Sequence, residues 1–251
     1  MSIRFLHAAD WHLDSPFEGL RAGKAAVRRA EQRQLLQRLA ELVHKEELQL
    51  VLLPGDLLDS DLSYAETGEA LCACLRQMAV PVFIAPGNHD WYSAHSPYAR
   101  LPLPENVHVF TKNEMEAVAL PDLGVRVYGA AYAGRESAPL LPGFRAERGD
   151  GLLNLLCLHA EVTKQPSPYA PIREEELAAS GLHYAALGHI TRQAVCRRPA
   201  APGIPGPAVP RGAALTNAAR KPSASLSWMT LAAACGRCPW RCGAMKSSAS
   251  T

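Results

Sequence analysis

Five short polar motifs in this sequence each follow directly on an apolar stretch. They are HAADWH (7–12), PGD (54–56), PGNHD (86–90), CLHA (157–160) and LGHI (187–190). Histidine, aspartate and asparagine bind divalent metals through nitrogen and oxygen atoms. Because ligands collect at the strand ends along one edge of an α/β sheet, the pattern predicts a metal site built from several separate loops.

The spacing within these motifs supports that interpretation. Asp10 and His12 are two residues apart, so in an extended chain their side chains point the same way and can bind one ion. Asp56 and Asn88 each follow a glycine, which lets the backbone turn tightly. One histidine at a strand end is most often structural, but two carboxylates, an amide oxygen and several imidazoles together suit Mn²⁺, Fe²⁺ or Zn²⁺ rather than calcium.

The elements that must position these motifs alternate between short apolar strands and amphipathic helices, as in βαβ construction. The predicted strands are 3–7, 50–53, 80–87, 152–158 and 183–187, and the predicted helices are 25–48, 64–78 and 172–180. Between residues 106 and 128 the pattern changes to three short alternating runs, NVHVF, MEAVAL and VRVYGA. These runs predict a second, partly antiparallel sheet.

The order D-x-H, G-D-x-x-D, G-N-H-D, a single H and then G-H resembles that of the calcineurin-like metallophosphoesterases. The opening FLHAADWHLDSPFEGL (5–20) is similar to their bacterial SbcD-type DNA-repair exonuclease branch. The resemblance covers residues 1 to about 190. It implies an α/β fold, a four-layer αββα sandwich of two mixed β-sheets, with a metallophosphoesterase domain at 1–190.

The resemblance also implies a role for each motif residue in a centre of two divalent ions, Mn²⁺ first and Mg²⁺, Fe²⁺ or Zn²⁺ as alternatives. Asp10 and His12 would hold the first metal, and Asp56 would bridge both. The second metal would be completed by Asn88, His159 and His189. Such a pair of ions activates a water molecule and clamps a phosphate.

His89 follows a ligand directly, and the resemblance gives it a different role. It would stabilise the charge of the transition state or protonate the leaving group. Asp59 or Asp90 would orient its ring, as carboxylates commonly orient catalytic histidines. Asp59 could equally be a helix N-cap.

Thr191 departs from the family pattern. It stands where the second histidine of G-H-x-H supplies the fourth ligand of the first metal. A neutral hydroxyl is a poor substitute for imidazole, and losing even a supporting group commonly lowers affinity or activity by about 10- to 100-fold. We therefore expect the first metal site to be weak or empty.

The composition changes at the same residue. Residues 191–251 contain nine basic and no acidic residues, and they are rich in Ala, Pro, Arg, Gly and Ser. We interpret them as an anomalous basic tail, disordered or translated out of frame. If one base was lost near Ile190, restoring it forces acidic codons at positions 229, 230 and 246. The alternatives are a nucleic-acid-binding arm or a zinc site of Cys235, Cys238 and Cys242.

The charge and cysteine distribution limits the function classes. Residues 1–190 hold 17 of the 26 basic residues and all 24 acidic ones, so this part carries −7 and lacks the basic footprint of a DNA binder. Cys72, Cys74 and Cys157 lie in apolar patterns and are predicted to be buried thiols. With no signal peptide or membrane span in the sequence, we expect a cytoplasmic protein.

By resemblance, the predicted function is hydrolysis of DNA phosphodiester bonds by a homodimer with a coiled-coil ATPase partner of the SbcC type. The sequence shows no cap domain of the kind that these nucleases carry. One alternative is a phosphoesterase for small nucleotides or other phosphate esters. Another is an inactive, truncated product that retains the fold.

Overall fold

The computed structural model describes residues 2–17, 19–60, 63–189, 195–196, 225–232 and 242–243. In chain order, the strands are β1 (Ser2–Ala9), β2 (Leu50–Leu53), β3 (Val82–Ile84), β4 (Val107–Val109), β5 (Glu116–Leu120), β6 (Val125–Gly129), β7 (Leu153–His159), β8 (Tyr184–Gly188), β9 (Val195–Cys196), β10 (Ser225–Ala232) and β11 (Cys242–Gly243). The helices are α1 (Ala22–Lys45), α2 (Ala65–Met78), α3 (Pro97–Arg100) and α4 (Glu174–Ala179), with a 3-10 turn at Pro121–Leu123.

The strands form two sheets. The first has the order β11-β10-β1-β2-β3-β4 and the second β5-β6-β7-β8-β9. Strands β1 to β4 run parallel to one another, as do β6, β7 and β8, whereas β5, β9, β10 and β11 pair antiparallel to their neighbours. Both sheets are therefore mixed, as predicted.

Three apolar clusters lie between the layers of helices and sheets. The first joins α1 and α2 to one face of the first sheet and includes Leu36, Val51 and Leu75. The second lies between the two sheets, and the third joins α4 and the neighbouring loops to the outer face of the second sheet. This order of layers confirms the predicted αββα sandwich.

The run NVHVF lies in the first sheet, so the prediction that placed it in the second is wrong. It forms β4, which pairs parallel to β3 at the sheet edge, with Val82 opposite Val107. Only MEAVAL and VRVYGA, as β5 and β6, form the antiparallel pair of the second sheet. An alternating run shows that one strand face is buried, but it does not show which neighbour the strand pairs with.

The other predicted elements lie close to the observed ones. Helix α1 begins three residues before the predicted start. Its last turn contains His44 and Lys45, and basic side chains at this end interact favourably with the helix dipole. Helix α3, a single turn, was not predicted. Cys72, Cys74 and Cys157 are buried free thiols, as expected. No described helix is both long and apolar enough to span a bilayer.

Most of the predicted tail, including Thr191, Cys235 and Cys238, lies outside the described residues. Within that segment the structure describes the short strands β9, β10 and β11, although the sequence indicated no regular structure there. Strand β10 pairs antiparallel to β1 along eight residues, from Ser2 opposite Ala232 to Ala9 opposite Ser225.

Candidate metal centre

All of the predicted site residues lie at the end of a strand of the two parallel sets or just after it. Asp10 and His12 follow β1, Asp56 and Asp59 follow β2, Asn88 and His89 follow β3, His159 ends β7, and His189 follows β8. Because the carboxyl ends of parallel strands lie at the same edge of a sheet, these positions meet. The two packed sheets thus bring five motifs, separated by up to 179 residues, to one place.

The first ligand group consists of His12, Asp56 and His89, whose ligand atoms lie within 4.8 Å of one another. His12 Nε2 is 3.8 Å from Asp56 Oδ2, and the rings of His12 and His89 meet edge to face with centroids 4.7 Å apart. Asp59 Oδ1 lies 2.8 Å from His12 Nδ1 and 3.3 Å from His89 Nδ1. One carboxylate thus orients two imidazoles.

The second ligand group consists of Asp56, His159 and His189, again with ligand atoms within 4.8 Å of one another. His159 Nε2 is 3.4 Å from Asp56 Oδ2 and 3.0 Å from the side-chain oxygen of Asn88. The other ring nitrogen of His159 is 2.9 Å from the carbonyl oxygen of Pro54. Asp56 belongs to both groups, which is the position expected of a bridging carboxylate.

Asp10 lies beside these groups without being a member of either. Its Oδ1 accepts a hydrogen bond from the backbone N–H of His189 at 2.9 Å. Burial raises the pKa of Asp10 to about 6, although the nearby His159 lowers it in part. The structure therefore brings all six predicted ligands to one edge, but it places His89, rather than Asp10, among the atoms closest to His12 and Asp56.

The charges of the second ligand group are strongly coupled. Burial alone would raise the pKa of Asp56, but the charge and hydrogen bond of His159 outweigh burial and lower it to about 2. Burial would likewise lower the pKa of His159, but Asp56 raises it to about 9. Without a metal, the protonated ring of His159 supplies the positive charge next to the carboxylate of Asp56. A divalent ion would supply that charge instead, so these atoms suit a metal.

The pKa values of His189 and His89 are also shifted. Burial, followed by the charge of His159, lowers the pKa of His189 to about 4, which keeps its imidazole neutral and able to bind a metal. The hydrogen bond that the His89 ring donates to Asp59 raises the pKa of His89 against the effect of burial. His89 is 43% exposed, so its ring is accessible to a molecule approaching from solvent.

Backbone strain is concentrated at the predicted ligands. Nine non-glycine residues among those described have positive φ, and four of them are Asp10, His12, Asp56 and His189, with φ of 56°, 43°, 51° and 68°. Left-handed backbone at such residues costs about 1–3 kcal/mol each and persists where the surrounding structure fixes it, most often at functional sites.

Three glycines allow the loops to approach closely. A methyl group on Gly87 would lie 2.3 Å from Asp56 Oδ1, and one on Gly188 would lie 1.8 Å from the carbonyl oxygen of Pro54. A methyl group on Gly55, which has φ of +79°, would meet the backbone of Gly87 at 2.7 Å. The glycines that precede Asp56, Asn88 and His189 are thus required sterically, and Gly55 is required by its backbone conformation as well.

Of the two carboxylates predicted as candidates to orient His89, Asp59 contacts the ring and Asp90 has other partners. The fully buried carboxylate of Asp90 accepts hydrogen bonds from four backbone N–H groups and one hydroxyl, those of Asp56, Leu57, Leu58, Gly87 and Tyr98. Asp90 therefore ties the loop after β2 to the loop after β3. Asp59 is not the N-cap of α2, which begins after Tyr64.

Two tyrosines at the site carried no sequence signal that we recognised. The ring of Tyr132 meets that of His159 edge to face at 5.5 Å, and the ring of Tyr169 lies 4.6 Å from that of His189. Both follow strands of the second sheet by several residues, so only the tertiary structure places them. They restrict the orientation of the two imidazoles.

The donor set fits a pair of divalent ions of the intermediate type. Imidazole, carboxylate and amide oxygen ligands together suit Mn²⁺, Fe²⁺ or Zn²⁺, and the geometry does not select one of them. Two ligand groups that share one carboxylate are also the arrangement required to hold two ions side by side.

Comparison with known proteins agrees with this geometry. The family profile described as "Calcineurin-like phosphoesterase" matches residues 3–191. The "Uncharacterized metallophosphoesterase YhaO" of Bacillus subtilis (strain 168) is 28% identical over 210 residues, which are 77% of this chain and 50% of that protein.

Two nuclease components are similar over shorter stretches. The SbcD component of the SbcCD nuclease from Rhodobacter capsulatus is 30% identical over 137 residues, 53% of this chain and 28% of that protein. Its counterpart of the same name in Bacillus subtilis is 32% identical over 92 residues, 35% of this chain and 22% of that protein. The chain thus spans half the length of the first relative and less than a third of the other two.

The family match extends over the described strands β1 to β8 and over every residue of the two ligand groups. The chain therefore belongs to the calcineurin-like phosphoesterase family.

Proposed function

We propose that this protein hydrolyses phosphoesters with two divalent metal ions. The observation that carries the proposal is the pair of ligand groups that share Asp56. When bound, the ions would lower the pKa of a water molecule and offset the charge of the phosphate. Six side chains would hold them, namely Asp10, His12, Asp56, Asn88, His159 and His189.

Two further residues act on the substrate side of the centre. His89 is more exposed than the other two histidines that contact Asp56 or Asp59, with 43% of its side chain exposed against 12% for His12 and 0% for His159. Its ring can therefore reach an oxygen of the phosphate and stabilise negative charge or protonate the leaving group. Asp59, 3.3 Å from His89 Nδ1, holds the ring in that orientation.

The substrate that we propose is DNA, cleaved at phosphodiester bonds. The support is the similarity to the two SbcCD nuclease components. The net charge of −7 for residues 1–190 opposes this assignment, but two bound dications would bring it to about −3. A phosphoesterase for small nucleotides is the second candidate, because an acidic surface is compatible with a small substrate.

Manganese-dependent assays separate the two candidates. The protein is loaded with Mn²⁺ and incubated with end-labelled linear duplex DNA and, separately, with bis(p-nitrophenyl) phosphate. Cleavage of both substrates supports the DNA phosphodiesterase. Hydrolysis of the nitrophenyl ester alone supports the small-substrate enzyme, and no hydrolysis of either contradicts both.

Thr191 gives the proposal a second test. If its hydroxyl fails to replace an imidazole, the chain is an impaired enzyme or an inactive remnant that keeps the fold. Metal counting after equilibration with Mn²⁺ distinguishes these states. About two ions per chain supports the enzyme, whereas one or none supports the remnant.

We also propose that the active form is a homodimer that assembles with a coiled-coil ATPase. The support is that two relatives are named as components of the SbcCD nuclease. Sedimentation analysis of the chain alone, and then with a candidate ATPase, tests the two parts of the proposal separately. A chain that remains monomeric at all concentrations contradicts the first.

A further inference from the structure

The loop that carries Asn88 and His89 is held at both ends by one residue of the second sheet. Tyr132 donates its backbone N–H to the carbonyl oxygen of Pro86 at 3.0 Å, and its own carbonyl accepts the N–H of Tyr92 at 2.8 Å. Residues 133–138, which follow Tyr132, therefore start at the edge of the metal centre. We refer to residues 133–138 as the rim.

Arg135 of this rim lies over Trp91, which follows His89 by two residues. The guanidinium carbon of Arg135 is 5.8 Å from the centroid of the Trp91 ring. Trp91 is half-buried against the third apolar cluster, so it is a fixed support, whereas Arg135 is exposed. Among the described residues, no carboxylate forms an ion pair with Arg135, so its charge is available to a ligand.

The same rim also reaches the side of the centre that contains His189. Ser137 donates its backbone N–H to the carbonyl oxygen of Pro168 at 2.8 Å and accepts that of Ala170 at 2.9 Å. A shallow cleft of about 260 Å³ lies along this pairing, lined by Glu136, Ser137, Ala138, Ser167 and Pro168. Tyr169, the next residue, packs on the ring of His189. The rim and cleft thus connect the two ligand groups.

We propose that Arg135, supported by Trp91, is a nucleobase-binding subsite for the nucleotide that flanks the scissile phosphate. Bases stack on guanidinium planes and on aromatic rings with little dependence on sequence. A guanidinium over an indole ring is held by cation–π attraction and keeps its outer face and charge towards solvent. The cleft beside it carries the exposed side chain of Glu136, whose carboxylate can accept a hydrogen bond from a sugar hydroxyl or a base edge.

This inference rests on the proposed phosphodiesterase function and adds a substrate preference to it. One base stack contributes about 1–3 kcal/mol to the binding of single strands. The enzyme should therefore cleave a single-stranded dT 12-mer faster than the same backbone with abasic sites, by about 5- to 100-fold in kcat/KM. The two substrates carry the same phosphates, so the ratio isolates the contribution of the bases.

The decisive variant is Arg135→Ala, because an exposed side chain can be removed without disturbing the core. It should reduce the ratio of base-bearing to abasic cleavage towards one, and Trp91→Ala should do the same. The matched control is Arg145→Ala, which removes an exposed arginine that donates a hydrogen bond to the carbonyl oxygen of its neighbour Phe144. That control should leave the ratio unchanged. An equal ratio in wild type and Arg135→Ala overturns the inference.

A binding experiment on metal-free protein separates this inference from the proposed function. In EDTA, the dT 12-mer should quench part of the tryptophan fluorescence, and the quenching should be lost in Trp91→Phe and shifted to higher concentrations in Arg135→Ala. If no oligonucleotide is cleaved, the phosphodiesterase proposal fails while this titration still decides the subsite. Quenching that is identical in all variants overturns the subsite.

A third comparison determines whether the subsite binds a small nucleotide or a polynucleotide strand. A thymidine dinucleotide that shows the same dependence on Arg135 assigns the subsite to small nucleotides. A dependence seen only with the 12-mer assigns it to a polynucleotide strand. Either result supports the stacking subsite, whereas no dependence with any base-bearing ligand overturns it.

Discussion

The two ligand groups of the candidate centre share Asp56 but differ in how they are built. In the second group, His159 is part of strand β7 and is fully buried. In the first group, His12 and His89 lie on loops, and His89 is 43% exposed. The second group is thus built around a fully buried pair of charges, whereas the first includes an imidazole open to solvent. In the proposed centre, one metal site would be enclosed and the other accessible.

The largest effect is expected from Asp56→Ala, which removes the carboxylate common to both groups. Because loss of a supporting partner alone lowers activity by about 10- to 100-fold, loss of the bridge should lower kcat/KM by at least about 100-fold. Bound Mn²⁺, counted by mass spectrometry, should fall for both sites. Asp122→Ala, at an exposed carboxylate, is the control. Retention of two ions in the Asp56 variant would contradict the assignment of a bridge.

The difference in burial predicts unequal effects on stability in metal-free protein. His159→Ala leaves a buried carboxylate without its partner, so the free energy of unfolding should fall by about 3 to 5 kcal/mol. His89→Ala removes a partly exposed group and should change it by about 1 kcal/mol or less. Urea unfolding in EDTA measures both. Similar losses in the two variants would remove the distinction between the groups.

His7 connects strands β1 and β8, which lead to the two groups. We expect its contacts with β8 to be sensitive to acid. Its Nδ1 accepts from the Tyr184 hydroxyl at 2.9 Å, and its Nε2 donates to the carbonyl oxygen of Leu187 at 3.1 Å. Burial lowers the pKa of His7 to about 4. The neutral form is therefore favoured in the folded protein, and the unfolded chain takes up the proton first as pH falls.

Stability from this contact should be intact above about pH 6.5 and lost progressively towards about pH 4, by about 3 kcal/mol in total. Unfolding experiments across this range measure the slope. In His7→Gln the slope should be smaller, because the titrating group is gone. An unchanged slope would assign the acid sensitivity to other residues.

Thr191→His should strengthen the first metal site, proposed for Asp10, His12 and Asp56, by supplying the imidazole that the family pattern has at this position. We expect Mn²⁺ affinity of that site to rise about tenfold or more, with a parallel rise in activity. Thr191→Ala, which removes the hydroxyl without adding a ligand, should resemble the wild type. Metal content that does not change in the histidine variant would refute the ligand argument.

The smallest effect is expected from Asp59→Asn, which keeps the shape and one oxygen but removes the charge beside His12 and His89. We expect kcat to fall about tenfold while bound Mn²⁺ and the free energy of unfolding stay near wild type. Loss of metal instead would mean that Asp59 acts mainly through His12 rather than through His89.

The sequence was sufficient to predict which residues meet, because each motif follows a strand and parallel strands end at one edge. It was not sufficient to predict how they meet. Asp59 contacts two histidines that lie 47 and 30 positions away, and Asp90 receives the backbone N–H groups of another loop. Contacts of this kind depend on how two loops fold against each other, which no local pattern records.

The same limit explains the wrong sheet assignment of β4 and the unpredicted helix α3. An alternating run reports the burial of one face, and the first sheet satisfies that requirement as well as the second. Helix α3 has only four residues, too few for a 3.6-residue periodicity to be visible. The long helices α1 and α2 were predicted closely because many turns repeat the same pattern.

The left-handed backbone at Asp10, His12, Asp56 and His189 has a consequence for how metal enters. Such conformations exist only where the rest of the fold enforces them, so the cradle is shaped before any ion arrives. Metal should then bind to a preformed site, whereas in a zinc finger metal binding and folding are coupled. The protein could be emptied with a chelator and refilled with a different cation without passing through an unfolded state.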